Sequence, residues 1–320
     1  MRRAVILQHG PSTGIHGQLA NQLWNFISVY AYAKERDIPV SNYSFFEYSR
    51  HFSIPVGSPL VDLFFFKPFN LLVTLVPGKI IVPLWRKLYK AFVLIVGALA
   101  PQSIVRSGNA GYVDAPYYLP PSPGVREEFL RKENIIPGTL YFDGWLFRNP
   151  TGIEKHRESI REYFSPKKNA VDNIRRFLSP LRTKYRHVIG VHIRQGDYRT
   201  WKGGKYFVPQ KRVREVIDDY TAFAGIDAKD TCFVIASDGP IDAAHFAGLY
   251  TAISKAGAIE DLFLLAQTDA VIGSDSSFGD FSAYYGNIPH IVLENEPIDW
   301  EYYRGKARYF ENKYCTLVHY

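Results

Sequence analysis

The sequence predicts an α/β protein built on parallel sheets, and two patterns lead to this expectation. From about residue 154 onward, short apolar runs alternate with amphipathic, charged stretches. In the first 40 residues, an apolar run, a glycine-containing loop and a helix-spaced stretch follow one another. Strands that alternate with helices form parallel sheets covered on both faces. A chain of 320 residues can form two such domains, and we expect them at 1–165 and 166–320.

The first domain is expected to open with a strand, a loop and a helix. Residues 4–8 (AVILQ) form the apolar run, and the helix ends at the charged stretch 34–37, before Pro39. Its apolar positions recur at helical spacing at Leu19, Leu23, Phe26, Ile27 and Tyr30. Polar residues of the loop and of the first helical turn are candidates to bind sugar or phosphate. Alternatively, the loop residues are exposed to solvent and those of the helical turn only cap the loop. These candidates are His16, Gly17, Asn21 and Gln22.

Residues 60–100 are apolar but are interrupted by prolines and by basic residues. The basic positions are Lys67, Lys79, Arg86, Lys87 and Lys90. Two interpretations are open: a buried or partner-covered subdomain, or an amphipathic patch that lies on an anionic membrane. The apolar pieces are shorter than the roughly 20 residues of a spanning helix, so a membrane span is not expected.

Composition narrows the class of partner and the compartment. The formal net charge of +7 and the pI of about 9.1 favour anionic partners. Without a Lys/Arg run, a zinc finger or an RNA-binding motif, nucleic acid is not expected, and a phosphate-bearing substrate or an anionic bilayer explains the charge. Cys232 and Cys315 are too few for a disulfide framework. The N-terminus lacks the apolar core of a signal peptide, so we expect a cytoplasmic protein.

The elements of the second half follow in a regular order. One strand is expected around 139–143, just before this half, and two helices are expected around 154–163 and 169–179. Then come strand RHVIGVHI, a helix with Pro209 in its first turn, strand TCFVIAS, helix AIEDLFLLAQ and strand AVIGS. Helix SSFGDFSAYYG, with Gly286 as its C-cap, and strand PHIVLE complete the domain.

Polar residues follow three of these strands, where ligands bind in open α/β sheets. In HIRQGDY, Arg194 can grip a diphosphate, Gly196 permits a tight turn, and Asp197 can orient Arg194. An Arg–Asp structural pair is the alternative. In SDG, Asp238 can accept from a ribose hydroxyl or a purine amino group, or can form an ordinary Asp-Gly turn.

The third loop, SDSSF, runs into a helix. Backbone N–H groups at a helix N-terminus bind phosphate, and serine hydroxyls add donors. One serine would suffice for N-capping, so the cluster of Ser276 and Ser277 before Phe278 favours an anion site.

These loops, in this order, resemble the motifs of the α1,2-fucosyltransferases of glycosyltransferase family 11. HIRQGDY is similar to the family's HxRRGDY, FVIASDG to an apolar strand that ends in Ser-Asp-Asp, and EDLFLLAQTDAVIGSDSSF to its third motif. GQLANQLWNF resembles the Gly-x-Leu-Gly-Asn-Gln start, and FDGWLFRNP stands where the family has a Gly-Tyr-Trp-Gln-like segment. The match runs from about residue 17 to 290.

The resemblance implies a GT-B-like architecture, with two Rossmann-like domains whose parallel sheets face a central cleft. The C-terminal half would hold GDP-fucose through His192, Arg194, Gly196, Asp238 and the 276–278 helix start. The N-terminal half would shape the site of a glycan acceptor, for which a lipid-linked glycan is one candidate. The reaction would invert the anomeric centre without a cofactor or metal, because positive groups stabilise the departing diphosphate. Candidate catalytic residues are Arg194, His192 and Asp197, and candidate general bases are Asp197, His16 and Asp143.

Several positions depart from the family pattern. Gln195 stands where the first motif has its second arginine, and Gly239 stands where the second motif has its second acidic residue. In the N-terminal motif, Ala20 replaces a glycine. In the third motif, Asp275 replaces an asparagine and Gly279-Asp280 interrupts the usual Ser-Trp-Trp. Three rivals therefore stay open: a transferase that uses another sugar nucleotide, a non-catalytic glycan- or nucleotide-binding protein on this scaffold, and a membrane-surface scaffold that works through residues 60–100.

Overall fold

The computed structural model describes residues 3–8, 18–107, 117–119 and 138–311. The chain divides into two compact units, the first up to Ser165 and the second from Pro166. Each unit has its own parallel sheet and its own hydrophobic core. The α/β class with parallel sheets is therefore confirmed.

In the first unit, four strands form a parallel sheet of order β2-β1-β5-β3, and β4 pairs in parallel with β6. The strands are β1 Arg3–Ile6, β2 Val40–Asn42, β3 Ile104–Arg106, β4 Tyr117–Tyr118, β5 Thr139–Asp143 and β6 Phe147–Arg148. The helices are α1 Leu19–Lys34, α2 Phe46–Ser49, α3 Pro59–Val61, α4 Lys67–Leu75, α5 Gly78–Leu99, α6 Pro150–Lys155 and α7 Arg157–Tyr163. A π-helical segment, Asp62–Phe66, joins α3 to α4.

The predicted opening strand and helix are both present, and a buried amide fixes them together. Asn25 of α1 donates to Gln8 Oε1 at 3.1 Å and to the Gly144 carbonyl at 3.2 Å. Its own side-chain oxygen accepts from the backbone N–H of Phe147 at 3.0 Å. Because every polar atom of this buried amide finds a partner, the helix has one fixed position over the ends of β1 and β5.

The apolar segment is a helical layer with two different faces. Its inner side chains, which include Phe66, Phe69, Trp85 and Tyr89, are buried against the first sheet's core, while its outer apolar side chains are exposed. The core buries only the inner face, because the segment is one layer thick, so covering of the outer face by a partner and covering by a membrane both stay open. Within the described ranges, no helix is both long enough and apolar enough to cross a membrane.

In the second unit, five strands form a parallel sheet of order β11-β10-β7-β8-β9. The strands are β7 His187–Ile193, β8 Thr231–Ser237, β9 Tyr250–Ile253, β10 Val271–Ser274 and β11 His290–Leu293. The helices are α8 Lys168–Lys184, α9 Gln210–Ala224, α10 Ala258–Leu265, α11 Ser277–Gly286 and α12 Trp300–Tyr303.

Element ends differ from the sequence prediction where local conformation decides them. Gly286 is the last residue of α11, and Asn287 takes the left-handed cap with φ 54°, since asparagine tolerates that conformation. Pro209 is the N-cap of α9 and not part of its first turn. The helix expected at 154–163 is divided into α6 and α7 at His156.

The order of the strands creates a switch point between β7 and β10. From β7 the chain adds β8 and β9 on one side, and it then returns to the other side with β10 and β11. Loops from the carboxyl ends of β7 and β10 therefore leave in opposite directions and open a crevice between them. In open α/β sheets, ligands bind at this point.

Candidate functional site

The loops that follow β7 and β10 meet across the switch point. The backbone N–H of Arg194 donates to Ser274 Oγ at 2.9 Å, and the Tyr198 hydroxyl donates to the Asp275 carbonyl at 2.8 Å. These bonds join residues about 80 positions apart in the sequence. They hold Arg194 at the carboxyl edge of the sheet, beside the start of α11.

The guanidinium of Arg194 is held between two carboxylates. Its Nε and Nη2 donate to the two oxygens of Asp197 at 2.9 and 3.1 Å, and Nε lies 3.2 Å from Asp238 Oδ2. Burial opposes the charge, but the hydrogen bond to Asp197 and the negative charge of Asp238 outweigh it, so the pKa of Arg194 is raised. The same hydrogen bond lowers the pKa of Asp197. The site therefore holds a fixed positive group.

Asp238 ties the loop after β8 to the loop after β7. Its Oδ1 accepts from the backbone N–H groups of Gln195 at 2.6 Å and Gly196 at 3.1 Å. A Cβ at Gly196 would lie 2.9 Å from Asp238 Oδ2, so the close approach of the loop to this carboxylate requires glycine there. Asp238 is thus more than the ordinary Asp-Gly turn, because it spans two loops.

Two departures from the family pattern, Gln195 and Gly239, are neighbours in space. The Gln195 side chain is buried, and its Nε2 donates to Ser237 Oγ at 3.0 Å and to the Pro240 carbonyl at 2.9 Å. Its Oε1 accepts from Gln210 Nε2 at 3.0 Å. A Cβ at Gly239 would lie 2.9 Å from Gln195 Cβ. A neutral amide and a residue without a side chain therefore occupy adjoining positions where the family has a charge of each sign.

His192 is buried beneath the loops. Its ring stacks on Phe278 with a centroid distance of 4.9 Å and an interplanar angle of 26°. Burial, the charge of Arg194 and the neighbouring His290 lower the pKa of His192 to about 3. The ring is then neutral at neutral pH, which suits a group that shapes the site better than one that transfers protons.

The start of α11 is not capped by a serine hydroxyl. Ser276 is the N-cap residue, with φ −153° and ψ 148°, and its side chain makes no capping bond. Its Oγ is buried and has no hydrogen-bond partner among the described residues. The alternative of simple N-capping by this serine is therefore wrong. The first N–H groups of this ten-residue helix, from Ser277 and Phe278 onward, are the groups that bind anions in proteins.

A buried Asp–His pair, which no motif of the sequence indicated, lies behind this helix start. His290 Nδ1 lies 2.9 Å from Asp280 Oδ1, and both side chains are almost fully buried. His290 is the first residue of β11, and only strand order brings it beside α11. The one feature of the sequence that pointed to His290 is its position as a polar residue at the start of an apolar run.

The remaining predicted residues lie in the first unit or outside the described residues. His16 and Gly17 fall in the range 9–17, which the structure does not describe. Asn21 is half-buried and Gln22 is fully buried in the first turns of α1. Asp143 ends β5, with Arg106 Nε 3.7 Å from its Oδ2. Among the described residues, no three His, Cys, Asp or Glu side chains are grouped to hold a metal ion.

In sequence, the chain matches no protein-family model and no curated protein. In structure, it is similar to a mutant of Arabidopsis thaliana FUT1 in complex with GDP, at 13% identity and a TM-score of 0.52, over 93% of this chain and 71% of that one. It is also similar to POFUT1 in complex with GDP-fucose, at 12% identity and a TM-score of 0.50, over 91% of this chain and 97% of that one. These likenesses show the fold, which is that of the GT-B-like fucosyltransferases.

Proposed function

We propose that this chain is a fucosyltransferase that moves L-fucose from GDP-fucose to a hydroxyl group of a glycan. The observation that carries the proposal is the position of Arg194 at the switch point of a parallel sheet, beside the N-terminus of α11. A guanidinium and a helix N-terminus at one edge are suited to a diphosphate. The shared fold adds support, because FUT1 was seen with GDP and POFUT1 with GDP-fucose.

In this proposal Arg194 binds the diphosphate and stabilises the charge that develops on it as GDP leaves. Asp197 is the more exposed of the two carboxylates that hold Arg194, with 55% of its side chain exposed against 33% for Asp238. The entering phosphate therefore exchanges with Asp197, while Asp238 keeps the guanidinium in place. Gly196 lets the loop close onto Asp238.

The other donor contacts come from the start of α11 and from the buried layer below it. In this proposal the N–H groups of Ser277 and Phe278 face the second end of the diphosphate, and the Ser276 hydroxyl, whose oxygen is buried here, rotates to join them. His192 supports the Phe278 ring through the stacked contact described above. We assign His192 a positioning role, because a ring with a pKa of about 3 does not accept a proton in a reaction at neutral pH.

The acceptor hydroxyl would attack C1 of fucose, with inversion, through an oxocarbenium-like transition state. By the family resemblance, we propose the 2-hydroxyl of galactose as the acceptor. Asp197 is a weak base, since its hydrogen bond with Arg194 lowers its pKa. His16 and Asp143 then stay as candidate bases, in a first unit that would carry the acceptor side together with Asn21 and Gln22. We propose that Arg194 and the start of α11 stabilise the departing diphosphate in place of a metal ion. We also propose that the enzyme is cytoplasmic.

The donor assignment is tested by titrating GDP and GDP-fucose calorimetrically in EDTA. We expect Arg194→Ala to lower the GDP affinity about 10- to 100-fold, as expected for losing hydrogen bonds to a charged group. Arg194→Lys should lower the GDP affinity less, because lysine keeps the positive charge but lacks the paired N–H donors of the guanidinium. Arg182→Ala is the matched control, since Arg182 also pairs with a carboxylate, that of Asp269, but at the amino ends of β7 and β10.

Each outcome decides between candidates. Equal GDP affinity for Arg194→Ala and the wild type, with both proteins folded by circular dichroism, would remove Arg194 from the donor site. A folded wild type that binds neither GDP nor GDP-fucose would contradict the proposal and lead to other sugar nucleotides. Binding without transfer to any acceptor would instead indicate a glycan- or nucleotide-binding protein on this scaffold.

Linkage and stereochemistry need a separate measurement. We expect fucose transfer to a terminal galactoside, and no transfer to the same galactoside without its 2-hydroxyl group. Nuclear magnetic resonance of the product gives the anomeric configuration relative to the donor. Transfer to the deoxy acceptor, or retention of configuration, would refute the assigned linkage or mechanism while the donor assignment stands.

A further inference from the structure

We propose that the outer face of residues 59–99, in α3, α4, α5 and the π-helical segment between them, docks on the surface of an anionic lipid bilayer. This exposed face of residues 59–99 is the outer helical face. Its apolar side chains would enter the headgroup region, while its lysines contact anionic headgroups. The helices would lie along the interface without crossing it.

Exposed apolar side chains are concentrated on this face. Of the 14 large hydrophobic residues that are exposed in the described ranges, 11 lie between residues 60 and 99. They are Leu60, Leu63, Phe64, Leu71, Leu75, Ile80, Leu84, Leu88, Leu94, Ile95 and Leu99. Single exposed hydrophobic residues are common in folded proteins, but a contiguous group of this size marks an interaction surface.

The spacing of these residues shows that they form one stripe on each helix. On α5, Leu84, Leu88 and Ile95 recur at intervals that bring them to one exposed side, and Trp85 and Tyr89 lie on the adjoining, buried side. The stripe of residues 60, 63, 64, 71 and 75 has the same helical spacing. Each helix therefore has two apolar sides, and only one of them packs against the core.

The charges of the segment select an anionic partner. Residues 58–100 contain five basic residues and one acidic residue. Asp62 pairs with Lys67 at 3.1 Å and Glu47 pairs with Arg86 at 2.6 Å. Lys79 and Lys87 are exposed and have no charged partner among the described residues. At 100° per residue, Lys87 flanks the apolar stripe of α5, where an interfacial helix carries its lysines, and the long side chain of Lys79 lies farther round the first turn of the helix.

A bilayer fits this face better than a second copy of the chain does. Pairing two outer helical faces would bring the same uncompensated lysines together and would leave them in a partly desolvated interface. An anionic membrane matches both features at once, since basic residues near its surface are attracted to the anionic headgroups and the apolar side chains are buried among the lipids. Charge complementarity therefore decides for the membrane.

The test is flotation of the full chain with vesicles of phosphatidylcholine and phosphatidylglycerol, and with vesicles of phosphatidylcholine alone. We expect the wild type to float with the anionic vesicles and to bind less at high salt. Leu84→Gln/Leu88→Gln should lower the partition coefficient about tenfold or more, because two half-exposed leucines lose their burial in lipid. The matched control Tyr250→Gln/Ile253→Gln changes two side chains of similar exposure in the second unit, and should bind like the wild type.

Three results would overturn the proposal. The wild type could stay in the aqueous fraction with both kinds of vesicle. The leucine variant, folded by circular dichroism, could bind as well as the wild type. The chain could instead be a dimer by light scattering that only the leucine variant dissociates, without vesicle binding, which would make the face a self-association surface. The measurement needs no nucleotide, so its outcome is independent of the proposed fucosyl transfer.

Discussion

At the scale of single residues, the site is governed by how its charges are compensated. Arg194 is held by two carboxylates, Asp197 and Asp238, so the guanidinium is positioned before any ligand arrives. Gln195 and Gly239 touch at the place where the family pattern has one charge of each sign. The Gln195 amide is neutral, and its hydrogen bonds with Ser237, Pro240 and Gln210 compensate for its burial.

The buried ring of His192 predicts a pH dependence of stability. Its folded pKa of about 3 lies below the ordinary 6.5, so below pH 6.5 the unfolded chain binds a proton that the folded chain does not. The free energy of unfolding should therefore fall with decreasing pH, by about 1.4 kcal/mol per pH unit from this group. Urea unfolding at several pH values between 7 and 5 measures it.

The variant His192→Gln isolates this contribution, because glutamine does not titrate. Other groups contribute equally to both proteins, so the stability of the wild type relative to the variant should drop by about 2 kcal/mol between pH 7 and pH 5. Parallel curves for the two proteins would mean that His192 can be protonated within the fold. That result would restore it as a candidate for proton transfer.

At the scale of secondary-structure elements, one hydroxyl group fastens α5 to the first sheet. The Tyr89 hydroxyl donates to the carbonyl of Leu7, just after β1, at 2.5 Å, and the tyrosine side chain is buried. Burial is the main cause that raises the pKa of this tyrosine, so it stays a donor. The inner face of α5 is thereby fixed, and the outer helical face is presented to its surroundings.

We expect Tyr89→Phe to destabilise the chain by about 1–3 kcal/mol, because the Leu7 carbonyl loses a buried donor. The thermal midpoint of unfolding should fall, and far-ultraviolet circular dichroism of the folded state should not change. Tyr250→Phe removes an exposed hydroxyl group and should leave the midpoint within about a degree. An unchanged midpoint for Tyr89→Phe would show that water replaces the hydroxyl at no cost.

At the scale of the whole molecule, all the proposed diphosphate contacts come from the second unit. Arg194, Asp238 and the start of α11 belong to one sheet with its own core. We therefore expect a chain of residues 166–311 to unfold cooperatively and to bind GDP with an affinity close to that of the full chain. Calorimetric titration measures this, and a folded fragment that fails to bind GDP would mean that the first unit supplies donor contacts.

Local sequence patterns were enough to predict the class of the fold and the loops that carry polar residues. Alternating apolar and amphipathic runs depend on local periodicity, so the strands of residues 187–193, 231–237 and 271–274 could be placed along with the loops that follow them. The short strands β2 and β3 could not, because three residues carry no periodic pattern, and β9 could not, because it is largely exposed and lacks an apolar run.

Which of these residues come into contact depends on the tertiary fold. The order of the strands places β10 beside β7, and this brings Ser274 to Arg194. It also brings His290 to Asp280, and the contact of Gln195 with Gly239 likewise joins two separate loops. Whether the apolar segment was core or surface depended on the thickness of the helical layer. Such contacts depend on how strands pair over long separations, and the local sequence does not encode that pairing.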